Sequence, residues 1–156
     1  MISFQVEPYE DICVEIQTLN RIHWEELALF KDRMPLSPQY DVYIERDRRG
    51  ELFFVTGRWN SRIVAYYCAQ VNPGFHYKTT IIGIMDIIYI DPEFRQRGLI
   101  FPLMRGVQRE LKRRGVQLWI SGYKTHNPLG MPKVLDLLGF QSGDTYCSKW
   151  IGDEVS

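Results

Sequence analysis

Between residues 90 and 116 the chain reads IDPEFRQRGLIFPLMRGVQRELKRRGV, with Arg95, Arg97 and Gly98 close together ahead of an amphipathic stretch. Cations beside a glycine where a helix begins are suited to holding an anion. The first turn of a helix exposes N–H groups without internal partners and carries the positive end of the dipole. Glycine lets that backbone approach a phosphate with no Cβ in the way, and arginines add charge-assisted hydrogen bonds. Pro102 fits the first turn because its missing N–H costs no bond there. Residues 96–101, comprising Gln96, Arg97, Gly98, Leu99, Ile100 and Phe101, form a candidate pyrophosphate cradle. The alternative is an ordinary strand-to-helix turn whose arginines are solvated and whose glycine serves only conformation.

A second chemical feature lies just upstream. Asp86 is a lone carboxylate among Ile84, Met85, Ile87 and Ile88. Partial burial there would raise its pKa toward that of a general base. A strand carboxylate that faces water or pairs with an arginine is the competing reading. His23, His76 and His126 could each relay a proton near neutral pH, or serve as structural donors. No ligand spacing joins them into a metal site. The cysteines, Cys13, Cys68 and Cys147, are odd in number and far apart, with no CxxC pair. They fit a reducing cytoplasm better than a disulfide framework.

The elements that must position these groups are legible as periodicities. Ile2, Phe4 and Val6 alternate with polar residues and predict a strand ended by Pro8. From Tyr9 to Phe30, apolar residues at three- and four-residue steps predict helix, in one piece or two, broken by Met34-Pro35-Leu36-Ser37-Pro38. A weaker helix is expected over 39–48, with Tyr40, Tyr43 and Ile44 inward and Gly50 as its stop. LFFVTGRW, RIVAYYCAQV and TIIGIMDIIYI predict an antiparallel meander, with Asn60-Ser61 as a hairpin turn. The near-continuous apolar run over 81–90 predicts a central strand covered on both faces. After Gly98, Leu103, Met104, Val107 and Leu111 form one stripe of a helix ended by Gly115. A strand over 117–123, a short helix over 128–138, and a strand or hairpin over 140–151 complete the chain. The strand, helix and strand over 81–123 make a βαβ crossover, so those two strands should run parallel.

The 156 residues suit one α+β domain spanning 1–156. With 19 basic and 19 acidic residues, no global electrostatic grip on nucleic acid is indicated. No signal-peptide pattern opens the sequence and no apolar run reaches membrane-spanning length. The basic face at Arg105, Arg109, Lys112, Arg113 and Arg114 reads chiefly as solvated, with attraction of a phosphate as its functional alternative.

Together, the apolar strand carrying Asp86, the Arg95-Gln96-Arg97-Gly98-Leu99-Ile100 turn and the amphipathic helix resemble the GNAT acetyltransferase superfamily. That family has Arg/Gln-x-x-Gly-x-Gly/Ala at this place. The chain matches the first two fixed positions and departs at Ile100, where a branched side chain would crowd the helix start or the cofactor. His23-Trp24-Glu25-Glu26, the hairpin over 57–65 and Leu137-Leu138-Gly139-Phe140 extend the likeness. More narrowly, the order of His76-Tyr77, Asp86 and Tyr146 resembles small acetyltransferase-like proteins of phages and mobile elements. The resemblance implies a single-domain, mostly antiparallel mixed sheet with helices on both faces and a parallel crossover. It also implies acetyl-CoA as cosubstrate and an amine of a small molecule or protein as acceptor, in a cytoplasm or, for a phage protein, a host cytoplasm or virion. Backbone groups of Ile88, Tyr89 and Ile90 would align the acetyl and pantetheine portions, and Asn127 the cofactor arm. Arg95 to Phe101 would hold the pyrophosphate.

Members often place a tyrosine four residues before the Gly-Phe pair as acid for the thiolate, where this chain has Leu135. Tyr123 or Tyr146 is then the substitute. The departures at 100 and 135 leave a noncatalytic binding or virion-associated protein of the same fold as the alternative. A nucleic-acid module using Phe53, Phe54, Trp59, Tyr66 and Tyr67 is a weaker rival, since those aromatics read more simply as core.

Overall fold

The computed structural model describes residues 1–152, and its sheet is built in chain order. β1 (Ile2–Glu7), β2 (Leu52–Trp59), β3 (Arg62–Gly74) and β4 (Tyr77–Ile90) pair antiparallel, each with the next. β5 (Leu118–Ile120) joins β4 in parallel, as the crossover requires. Asn60 and Ser61 turn the β2–β3 hairpin with φ of 48° and 67°, the left-handed pair that suits the twist of the strands.

Strand alternation divides the core. Phe53, Val55, Ala65, Tyr67 and Ala69 face α3 (Ile100–Arg113) and α4 (Met131–Leu137). Leu52, Phe54, Ile63, Tyr66 and Cys68 face α1 (Tyr9–Leu27), which presents Tyr9, Ile12, Ile16 and Leu19, with α2 (Tyr40–Arg48) packing Tyr40, Tyr43 and Ile44 beside them. Helices thus cover both faces. A Cβ on Gly83 would lie 2.5 Å from Leu111 Cδ2, so this glycine lets α3 settle onto β4. The aromatics at 53, 54, 66 and 67 are wholly buried and belong to the core.

Three expectations are corrected. The most buried strands are β2 and β3, whereas β4 lies one place from the edge and leaves Ile84 44% exposed. Its apolar run therefore reflects a strand beside an opening, because β5 covers it for only three residues. α1 is one helix that stops at Leu27, and Phe30 lies beyond it with φ 55°. Residues 140–151 form no strand: QSGDTYCSK is polar and largely exposed, and no partner strand stands beside it. This segment instead brings Phe140 edge-on to Trp119, with ring centres 4.8 Å apart, and Trp150 to 6.5 Å from Phe30.

Candidate active site

β4 leaves the sheet at Ile90, and the chain then tightens into a 3-10 turn over Pro92–Arg97. Asp91 starts it by accepting from the Glu93 N–H at 3.0 Å. Phe94 and Leu99 are buried against Val64 and fix both ends of the turn. Gly98 closes it with φ 68°, and nothing lies within 4 Å of the position a Cβ would take. The glycine is required by conformation, and the space above it is open. Phe101 N–H reaches Gly98 O at 3.3 Å and Leu103 N–H reaches Leu99 O at 3.1 Å. The N–H groups of Gly98, Leu99 and Ile100 make no well-formed hydrogen bond to the described residues. Three adjacent amides before a 14-residue helix are the donor set an anion needs. Ile100 does not crowd this space: its half-buried side chain packs against the core, and no atom of it lies within 4 Å of a Cβ on Gly98.

The two arginines of the turn do different things. Arg97 is exposed and lies over the Phe94 ring, 4.8 Å from its centre. Arg95 turns the other way: Nη1 and Nη2 donate to the Glu26 carboxylate of α1 at 2.5 and 2.6 Å, and Nε donates to Ile90 O at 3.0 Å. These hydrogen bonds hold Glu26 below the usual carboxylate range. Arg95 therefore ties the turn to α1 and to the end of β4, and its guanidinium is occupied by protein rather than offered to a ligand.

Pairing between β4 and β5 ends at Ile84 and Ile120, so residues 85–90 have a bare edge on that side. Asp91 N–H donates toward β3, to Val64 O at 2.8 Å, whereas Ile90 O is reached by Arg95 from the other side. Alternation then turns the peptide groups of Ile88 and Ile90 toward the parting and those of Tyr89 toward β3. Where the strands begin to part, Trp119 Nε1 donates to Tyr67 Oη at 2.9 Å, and Tyr67 Oη to Ser121 Oγ at 3.2 Å, holding β5 to the sheet.

On the α1 face of the parting, Cys68 pairs with Ile87 and Ala69 with Met85, so Asp86 is the extra residue of a β-bulge. Of the two readings of Asp86 the structure shows the water-facing one: it is exposed, and its carboxylate accepts from Tyr43 Oη at 2.6 Å and Gln70 Nε2 at 3.1 Å. Burial and this bond to Asp86 both push the Tyr43 hydroxyl pKa up. Tyr43 and Gln70 line a cleft of about 800 Å³ between α1, the segment after it, α2 and β4. His23 stands in its wall with its pKa pushed down to about 4, mainly by burial. Its ring meets that of Tyr89 edge-on at 5.8 Å, and the buried Tyr89 hydroxyl has no partner among the described residues.

The remaining candidates lie apart. Tyr123 and Tyr146 are 44% and 87% exposed, and neither lines the cleft. Asn127 is part of a turn in which its N–H donates to Lys124 O at 3.1 Å. On α3, Arg113 and Arg114 are paired with Glu110 at 2.6 and 2.7 Å, while Arg105, Arg109 and Lys112 are exposed. Among the described residues no cluster could hold a metal ion. Sequence reasoning missed Glu26 as the partner of Arg95, and Tyr43 and Gln70 as partners of Asp86. No local signal marks these pairs, which are 69, 43 and 16 residues apart in the chain.

Residues 16–128 match the acetyltransferase (GNAT) family. No curated relative matches the chain. Among solved structures, a predicted acetyltransferase from Clostridium acetobutylicum with acetyl-CoA is similar at 18% identity and TM-score 0.70, with 96% of each chain covered. A ribosomal-protein-alanine N-acetyltransferase from Brucella melitensis biovar Abortus 2308 is similar at 12% identity and TM-score 0.71, covering 97% of this chain and 100% of that one. An aminoglycoside acetyltransferase from an uncultured soil metagenomic sample, in complex with sisomicin, gives 9% identity and TM-score 0.75, with 97% of each chain covered.

Proposed function

The chain belongs to the acetyltransferase (GNAT) family, and from that premise we propose that it is an acetyl-CoA-dependent N-acetyltransferase whose amine acceptor enters the cleft beside Asp86. The observation that carries this reading is the open turn at Gly98, whose free amides stand at the end of the bare edge of β4. Gly98, Leu99 and Ile100 would hold the pyrophosphate through their N–H groups, with Gln96, Arg97 and Phe101 around them. Ile88 and Ile90 would hold the pantetheine arm through peptide groups turned to the parting, and Asn127 is assigned to the cofactor arm by the family resemblance alone. Arg95 serves the turn as its strut. When bound, acetyl-CoA supplies an acetyl group activated as a thioester.

The chain's own residues then manage the proton and the charge. The amine must be neutral to attack, and an Asp86 carboxylate oxygen is exposed to receive its proton directly or through one water. Tyr43 and Gln70 keep that carboxylate in one orientation. The Ile88 N–H, facing the parting, is placed to donate to a developing oxyanion. Tyr123 follows β5 just beyond the parting and is assigned the proton returned to the thiolate, while the more exposed Tyr146 is given no role. A noncatalytic relative finds no support in Ile100, whose half-buried side chain packs against the core. The test is thiol release from acetyl-CoA with a panel of amines, comparing wild type with Tyr123→Phe. Amine-dependent release is expected, with kcat lowered in the variant and KM for acetyl-CoA unchanged. Acetyl-CoA binding without transfer to any amine would overturn the catalytic reading.

A further inference from the structure

The acceptor cleft has a charge pattern that selects among amines. Among the described residues that line it, none is aspartate or glutamate. Three cations line it: Arg46, Lys124 and Lys149. Arg46 is engaged by Glu51 at 3.3 Å and by Gln70 at 3.2 Å. The ammonium groups of Lys124 and Lys149 have no ion pair or hydrogen bond with the described residues, and both residues are exposed. Most of the remaining wall is apolar or aromatic, including Trp24, Leu27, Phe30, Met34, Leu36 and Trp150, with neutral polar groups such as Asn20, Gln39 and Gln70 among them. Three carboxylates bond to lining residues: Glu51 to Arg46, Asp47 to the Tyr9 N–H at 2.6 Å, and Asp86 to Tyr43 and Gln70; of these three Asp86 alone is exposed.

A polyamine such as an aminoglycoside would bring several ammonium groups into this space. Each would lose water with no carboxylate among the described lining residues to replace it, and would face two lysines whose ammonium groups are unpaired there. A molecule with one amine has a single partner to find, and Asp86 is that partner. An apolar body gains by leaving water against the tryptophans and leucines. An anionic group on the same molecule answers Lys124 and Lys149. The volume of about 800 Å³ is that of a site for a whole small molecule.

We propose that the acceptor is a small amino acid-like molecule, with one primary amine directed to Asp86, an aromatic or branched apolar body, and a carboxylate directed to Lys124 and Lys149. This rests on the acetyltransferase reading and adds the class of acceptor to it. The test measures initial rates at saturating acetyl-CoA with L-phenylalanine, 2-phenylethylamine and kanamycin, alongside calorimetric binding of acetyl-CoA. The expected order of kcat/KM is L-phenylalanine first, 2-phenylethylamine second and kanamycin last, with the carboxylate contributing about tenfold. In the Lys124→Glu/Lys149→Glu double variant, checked for an unchanged melting temperature, the ratio of L-phenylalanine to 2-phenylethylamine falls to one or below through a raised KM. The Lys124→Gln/Lys149→Gln variant gives a ratio near one without introducing new charge. Kanamycin as the best acceptor, no preference for the carboxylate, or a ratio unmoved in both double variants would overturn the proposal. So would acetyl-CoA binding with none of the three amines accepted, an outcome that leaves the cofactor assignment standing. Failure to bind acetyl-CoA would instead bring down the earlier reading and this one with it.

Discussion

Proton transfer in the proposed mechanism rests on one carboxylate, Asp86, which accepts hydrogen bonds from Tyr43 and Gln70. Asp86→Asn keeps the shape and removes the proton acceptor. The expected result is a fall in kcat of about 100-fold with acetyl-CoA affinity unchanged, read by steady-state rates and calorimetry; unchanged kcat would remove Asp86 from the mechanism. His23 gives a separate signature in stability. Its folded pKa of about 4 lies below the ordinary 6.5, so between these values the unfolded chain binds a proton that the folded one does not. Stability therefore rises with pH across that window and falls as acid is added. Glu26 and Glu110, held low by Arg95 and Arg113, contribute in the same direction only below their ordinary value of 4.5. The interval from 4.5 to 6.5 isolates the histidine. His23→Gln should flatten the dependence of melting temperature on pH there; a slope equal to that of wild type would contradict the assigned burial. Asp86 stood out in the sequence by its apolar neighbours, which left burial and exposure both open; the fold decides for exposure. A bulge adds a residue to β4 and turns Asp86 and Ile87 to one face, which strict alternation cannot anticipate.

The turn between β4 and α3 depends on α1 through Arg95 and Glu26. A double charge-assisted bond of this kind, partly shielded from water, is worth roughly 1–3 kcal/mol. Glu26→Gln should lower stability by about that amount and weaken acetyl-CoA binding severalfold by loosening the turn, although Glu26 itself touches no phosphate. Binding and melting temperature both unchanged in Glu26→Gln would show that the strut is idle. The turn was readable because its residue types are local: an Asp-Pro start, a buried phenylalanine, and a glycine at φ 68°. The direction of the Arg95 side chain was not, because its partner lies 69 residues earlier. The meander was equally plain, since each strand carries its own alternation and the 60–61 turn its own chemistry. The tail over 140–151 misled because occasional apolar residues suggest a strand, whereas Phe140 and Trp150 dock singly and the polar stretch between them has no ladder to join.

At the scale of the whole molecule, the parallel pairing of β4 and β5 is short and then parts, and this opening gives the chain a place for a long, thin ligand. The proposed cradle lies at the end of that opening and the proposed acceptor cleft on the α1 face, with the Asp86 bulge beside it. The arrangement follows from a crossover readable in the sequence, while the length of the pairing had to come from the fold. The central claim is that the main chain at Gly98 receives the pyrophosphate, and calorimetric titration with acetyl-CoA tests it through two variants. Gly98→Ala carries a strain of roughly 1–2 kcal/mol for a left-handed residue but adds little bulk, and should bind acetyl-CoA with modestly reduced affinity. Gly98→Trp places an indole in the open space above the turn, and should remain folded by circular dichroism while losing detectable binding. Wild-type protein that binds no acetyl-CoA, or a folded Gly98→Trp variant that binds it as tightly as wild type, would contradict the account.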